Sequence, residues 1–260
     1  DKMVNRLLMD PNNSEILIAA TTDGVFKTTD GGIHWDIQLT SIAFIDLEFK
    51  PGNPNTIYGS TKDGQIFVST NGTSFGSPTY IDSDAGRIEL AVSPNQPNWV
   101  YAVATNTESG LYGVFKSDNS GDSFELILDG GTKNLLSYES DGSGSGGQGY
   151  YDLCIAASPS NANILLIGGI NTWGTTNGGN TWKLLNHWYG DNAPSVHADK
   201  HSLTYRSNGD VFETNDGGMY ISPNDGNIWI DKTNGIVVSQ MYKMGVSQTD
   251  KDEIITGLQD

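Results

Sequence analysis

The sequence predicts an all-β chain built by repetition, and three observations carry that reading. First, "TTDGGIHW" (Thr28 to Trp35) returns as "SDNSGDSF" (Ser117 to Phe124), "TTNGGNTW" (Thr175 to Trp182) and "SPNDGNIW" (Ser222 to Trp229), with "STNGTSF" (Ser69 to Phe75) one residue short. The closing aromatics Trp35, Phe75, Phe124, Trp182 and Trp229 stand 40, 49, 58 and 47 residues apart. Second, the boxes follow a short alternating run ("GVFKT", "QIFVS", "GVFKS", "GMYIS") and lead into another ("WDIQL", "FELIL", "WKLL"). Third, two more β-rich runs come earlier in each repeat, the first closing on a Pro/Asn turn. Repeats of this length with four strands apiece are blades of a β-propeller.

Taken in order, the runs "NRLLMDPNN" and "SEILIAAT" open a first blade at about 3–39, and "DLEFKPGNP" with "NTIYGST" a second at 40–80. A third at 84–129 begins with "IELAVSPNQP" and "NWVYAVAT", a fourth at 148–186 with "YDLCIAASPSN" and "NILLIGG", and a fifth spans 197–232. After Trp229, "QMYKMGVSQ" and "EIITGLQ" read as the first two strands of a sixth, at 240–260. Five and a half blades make one domain and an open ring. Its exposed sheet edges call for partners, either remaining blades or another chain, and the natural chain is expected to start before Asp1 and run past Asp260.

The box itself reads as a folding device. Its Asp or Asn accepts hydrogen bonds from nearby backbone N–H groups, the Ser/Thr hydroxyl ties the other limb, and Gly takes a positive φ. Asp30, Asn71, Asn119, Asn177 and Asn224 hold this position. Asn serves as a turn acceptor but not as a general acid or base, so these residues are structural. Trp35, Trp182 and Trp229 are expected to be largely buried plugs.

Composition narrows the function. Lys and Arg number 14 against 31 Asp and Glu, a net charge of −17, which excludes the basic footprint that nucleic acids and anionic membranes require. No apolar run approaches the 18 or so residues of a membrane span. Cys154, the single cysteine, allows no internal disulfide and sits in a strand-like run as a small apolar residue.

The boxes resemble the Asp-box, or BNR, repeats of sialidases, sortilin-type receptors and xyloglucanase-like glycoside hydrolases. "GQGYYDLCIAASPSNANILLIGG", "VHADKHSL", "ETNDGGMYIS" and "ITGLQD" are similar to a group of large secreted propeller proteins, many from Bacteroidetes, exported by type IX secretion. That resemblance implies an extracellular or cell-surface location and the secretion machinery as a partner. For an inverting hydrolase it also implies two carboxylates roughly 6.5–9.5 Å apart. Asp152 in "GYYDLCIAASP" resembles the acid, although Tyr151, Ala157 and Ser158 depart from the pattern, and Asp23 is the nearest match to the base. A sialidase would need an arginine triad, and arginines are few.

Binding is expected at the propeller face away from the boxes, where the second-to-third strand loops and the links between blades gather. The link at 137–151, rich in Gly and Ser, reads as a mobile surface loop. Tyr150, Tyr151, Trp173, Trp188 and Tyr189 offer flat faces for sugar rings, and the same residues also fit a role as caps on the core. His197, Asp199 and His201 alternate in "VHADKHSL", about 6.6 Å apart per pair on a strand. One ion does not readily span three such residues with bonds of about 2 Å, so a polar channel lining is expected first, ligand contact second and a metal last, and no cofactor. Asp216 and Asp260 face the same channel in this reading. The sequence thus points to a glycan- or protein-binding module, with a glycoside hydrolase as the alternative.

Overall fold

The computed structural model describes residues 2–236 in full, together with the backbone of two later strands. Short alternating runs closed by Gly, Asn and Asp turns form five four-stranded antiparallel sheets. The first holds β1 (Val4–Asp10), β2 (Asn13–Thr21), β3 (Gly24–Thr28) and β4 (Asp36–Thr40). The second holds β5 (Phe44–Lys50), β6 (Asn53–Thr61), β7 (Gln65–Ser69) and β8 (Thr79–Tyr80). The third holds β9 (Ile88–Ser93), β10 (Gln96–Thr105), β11 (Leu111–Ser117) and β12 (Glu125–Asp129). The fourth holds β13 (Cys154–Ala157), β14 (Leu165–Gly168), β15 (Thr172–Thr175) and β16 (Lys183–Asn186). The fifth holds β17 (Lys200–Tyr205), β18 (Val211–Asn215), β19 (Gly218–Ser222) and β20 (Ile230–Asp231). Beyond them, β21 (Met241–Val246) and β22 (Ile254–Leu258) pair as an antiparallel ribbon.

Spatial order follows chain order in every sheet, and the first strands β1, β5, β9, β13 and β17 contact one another in series. The described residues thus form part of a β-propeller, with the first strand of each blade lining the channel. Each neighbouring pair of sheets shares one apolar cluster. Ile18, Val25, Phe44 and Leu47 join the first two blades, and Tyr58, Ile66, Leu90 and Ala102 the second and third. Tyr101, Val114, Leu153 and Ile167 join the third and fourth, and Leu166, Leu185, Leu203 and Val211 the fourth and fifth. Burying such side chains is worth about 1.5–3 kcal/mol each.

The box turns explain the repeat in hydrogen bonds. Thr28, Ser117, Thr175 and Ser222 accept at Oγ from the N–H four residues on, at 3.0, 2.8, 3.1 and 2.8 Å. Asp30, Asn119, Asn177 and Asn224 accept at Oδ1 from His34, Ser123, Thr181 and Ile228, at 2.9, 3.1, 3.0 and 2.9 Å. In the shorter box Asn71 accepts from Thr73 and Ser74 at 3.0 and 2.9 Å. Gly179 has φ 96°, and a Cβ there would meet Ile127 of the preceding blade at 2.7 Å. Both the conformation and the close approach exclude a side chain.

The closing aromatics depart from the expected burial. Each leans on the blade before its own: Phe124 on the second, Trp182 on the third and Trp229 on the fourth. Trp182 and Trp229 are half-buried, and Trp35 is 40 % exposed because no sheet precedes its own among the described residues.

The segment 137–151 also differs from the mobile loop that its Gly and Ser content suggests. Asn134 organises it, donating to Gly144 O and Gly146 O at 3.0 and 2.9 Å and accepting from Leu111 and Leu136 at 2.8 and 3.0 Å. Leu135 and Leu136 are buried beneath it. The glycines serve close packing: a Cβ on Gly147 would meet Leu136 O at 2.4 Å.

Candidate functional site

The first strands of the blades surround an open cavity of about 610 Å³, lined among others by Arg6, Glu48, Glu89, Tyr150, His201 and Tyr205. Part of the predicted site converges at its rim. Tyr151 donates to Asp216 Oδ2 at 3.2 Å, His201 Nε2 lies 2.7 Å from Asp216 Oδ1, and the Tyr151 ring meets the His201 ring edge-on at 4.9 Å. Tyr150 is 71 % exposed, its ring 6.4 Å from that of Tyr151. His197 covers the turn after Asp216, since a Cβ on Gly217 would strike its ring at 2.4 Å.

Asp152 lies beneath this rim with no exposed surface, and neither carboxyl oxygen meets a hydrogen-bond donor. Burial pushes its pKa up to about 8, and the neighbouring Asp199 carboxyl, within hydrogen-bonding reach, adds to the rise. Asp199 adopts φ 61°, the left-handed region, so His197, Asp199 and His201 do not alternate along one strand as expected. The strand starts at Lys200, whose buried ammonium donates to Ile170 O and His197 O, both at 2.7 Å. Behind it Glu213 is buried and accepts from Thr172 and Asn186 at 2.6 and 3.0 Å. Burial lowers the Lys200 pKa and raises that of Glu213, while their mutual attraction opposes both shifts.

Trp173 does not stand on a binding loop, as its place in "GGINTWG" suggests: it lies within β15 at 2 % exposure, part of the core between the third and fourth blades. Trp188 and Tyr189 are exposed and form a second aromatic group, their rings 4.6 Å apart and edge-on, with His187 4.3 Å from Tyr189. Asn171 Oδ1 accepts from Trp188 N–H at 3.0 Å and anchors this group to the fourth blade. Asp23 sits in the β2–β3 turn of the first blade, its carboxylate 2.8 Å from the Lys2 ammonium. Asp260 lies outside the described residues.

Sequence reasoning missed the charged lining of the channel. Arg6 bridges Asp46 at 3.2 Å and Glu48 at 2.6 Å, and Arg87 bridges Glu89 at 2.7 Å. Burial, with the nearby Asp46 charge, pushes Glu48 up to about 8 and Glu89 to about 7. A signal was present: "DLEF" and "RIEL" alternate charged and apolar residues, the period-two mark of a strand with one polar face.

With no helix among the described residues and a channel ringed by first strands, the fold is that of a β-propeller of four-stranded blades. Solved propellers agree. An ancestral GH74 enzyme aligns with a TM-score of 0.64 at 21 % identity, over 90 % of this chain and 31 % of its own. The GH74 xyloglucanase from Xanthomonas campestris aligns at 0.65 and 15 % identity, over 97 % of this chain and 42 % of its own. YCF48 bound to D1 peptide aligns at 0.53 and 13 % identity, over 99 % and 79 %. The chain therefore spans 31 to 42 % of the length of these GH74 structures. No protein-family model and no curated protein sequence matches it.

Proposed function

We propose that the chain is a propeller module that binds a glycan at the rim of its channel. The observation that carries this reading is the pair of exposed tyrosines, Tyr150 and Tyr151, beside the hydrogen-bonded His201 and Asp216 at the mouth of the cavity. Flat faces next to fixed polar groups are what a sugar ring with its hydroxyls engages. Trp188 and Tyr189 supply a second platform.

The alternative, an inverting glycoside hydrolase, draws on the likeness to GH74 enzymes and on Asp152, a protonated carboxyl paired with a second acid. One fact weighs against it: Asp152 has no exposed surface, whereas an inverting pair must admit a water between its two carboxyl groups. A protein ligand is the remaining variant of the binding reading, since YCF48 takes a peptide on a similar fold.

The test is calorimetry against a glycan panel that includes xyloglucan, with release of reducing ends followed in parallel. Binding without turnover is expected. Turnover abolished by Asp152→Asn would overturn the module in favour of the enzyme. Within the same proposal the five boxes are Asp-box repeats, and the protein works outside the cell or at its surface, exported by a type IX route. That part rests on the sequence resemblance, and finding the native protein in the cytoplasmic fraction would refute it.

A further inference from the structure

Tyr150 owes its position to its backbone alone. Its ring is mostly exposed and its one aromatic neighbour is Tyr151, so the main chain at 149–153 decides where the ring stands. That segment starts and ends firmly. Gly149 N–H donates to Ser109 O at 2.8 Å, and a Cβ on Gly149 would strike Thr105 at 2.6 Å. At the other end Asp152 is buried. Between these points the carbonyls turn inward, where secondary structure supplies no partner. They meet Arg87.

The Arg87 guanidinium comes from the residue ahead of β9, in the third blade. Its Nη1 donates to Gly149 O, Tyr150 O and Tyr151 O at 3.5, 3.1 and 3.1 Å, and its Nη2 to Leu153 O at 3.3 Å. Glu89 fixes the fork from behind, accepting from Nε and Nη2 at 2.9 and 2.7 Å. Four carbonyls in five residues thus share one planar, permanently charged group. A lysine ammonium is a point charge on a flexible stem and does not reproduce that fan of donors.

We propose that Arg87 is the positioning residue of the rim: clamped by Glu89, it holds residues 149–153 in the conformation that presents Tyr150 and Tyr151 to a ligand. This deepens the glycan-binding reading and rests on it for the ligand only. It also gives the charged channel lining a task, since the Arg87–Glu89 pair connects the channel wall to the aromatic rim across the gap between two blades.

The test is hydrogen exchange at 148–153, read together with affinity for xyloglucan oligosaccharides, in Arg87→Lys and Glu89→Gln. The amides of Gly149, Tyr151 and Asp152, which donate to Ser109 O and Gln148 O, report on the segment. Arg87→Lys is expected to speed their exchange about tenfold and to weaken binding about tenfold, with the melting temperature nearly unchanged, because a fork of charge-assisted bonds is lost while the charge stays. Glu89→Gln keeps an acceptor for the fork and is expected to produce a smaller change in the same direction. Exchange at 148–153 as slow as in the parent protein, or faster exchange with unaltered affinity, overturns the proposal. If Arg87→Lys does not fold, an unchanged segment in Glu89→Gln overturns it equally. If the parent protein binds no glycan on the panel but Arg87→Lys loosens the segment, the binding reading fails and the positioning role stands.

Discussion

The two ends of the propeller hold the same kind of side chain in opposite circumstances. On the box face, Asp30 accepts the His34 backbone N–H, the His34 ring and the Thr28 hydroxyl, and these bonds hold its pKa well below the usual carboxylate range. On the loop face, Asp152 meets no donor, and burial beside Asp199 pushes its pKa up to about 8. Where local sequence supplies the donors, a carboxylate is a turn-former that Asn replaces four times over. Where a distant segment supplies the surroundings, it becomes a protonated, buried acid with no local stabilisation. Groups of the second kind gather where proteins bind or react.

The largest expected effect follows from that contrast. The proton on Asp152 is held to about pH 8 in the folded state but only to about 4 in the unfolded chain. The unfolded chain therefore gives up its proton first, and stability falls as pH rises from about 4 to about 8. Asp30 has the reverse sign: its contribution is present above the unfolded pKa and is lost as pH falls below it. Asp152→Asn should remove up to about 4 kcal/mol of stability loss between pH 5 and 8, at about 1.36 kcal/mol per unit. Urea unfolding at the two pH values measures it, and parallel losses in variant and parent would break the comparison.

Next come the closing aromatics of the boxes. Trp182→Ala opens the interface with the third blade and should cost about 2–3 kcal/mol, less than a fully buried Trp because the ring is half-exposed. Trp35→Ala, whose ring meets no preceding sheet among the described residues, should cost under about 1 kcal/mol. Equal costs by thermal unfolding would show that the aromatic serves its own turn and not the neighbouring blade.

On the loop face, Trp188→Ala should lower affinity for the bound glycan about tenfold, roughly 1.4 kcal/mol, without moving the melting temperature. A matched loss of both would make Trp188 a packing residue. The smallest effect is expected for Asn177→Asp, within about 0.5 kcal/mol, because Asp30 accepts the equivalent bonds in the first box. A larger loss would mean that the Asn177 Nδ2 bond to Thr181, at 2.9 Å, carries the turn.

Legibility of the site differed residue by residue. Tyr151, His201 and Asp216 meet because, in an antiparallel four-stranded meander, the links into each first strand and the turns between second and third strands emerge at the same end of the channel. Trp173 was not readable: a Trp two residues beyond Asn171 looks like a loop residue until β15 pairs with β14 and turns it inward. Asp199 reads as a strand residue in "VHADKHSL", yet its positive φ, beside the buried Lys200, follows from contacts with the fourth blade that no local pattern encodes. Arg87 carries a readable period, yet its partners at Gly149 to Leu153 lie more than 60 residues away.

By itself the sequence determined the repeat, the four strands within it and the turn that closes it, because alternation, glycine at positive φ and side-chain acceptors for backbone N–H groups act over fewer than ten residues. Tertiary structure alone decided which charges meet. The order of blades around the channel brings Arg87 to the carbonyls of another blade, sets Asp152 against Asp199, and leaves Tyr150 exposed at the rim. Those outcomes depend on burial and on distances across blades, and the same residues in the same local runs would be ordinary strand and loop positions on a differently closed sheet.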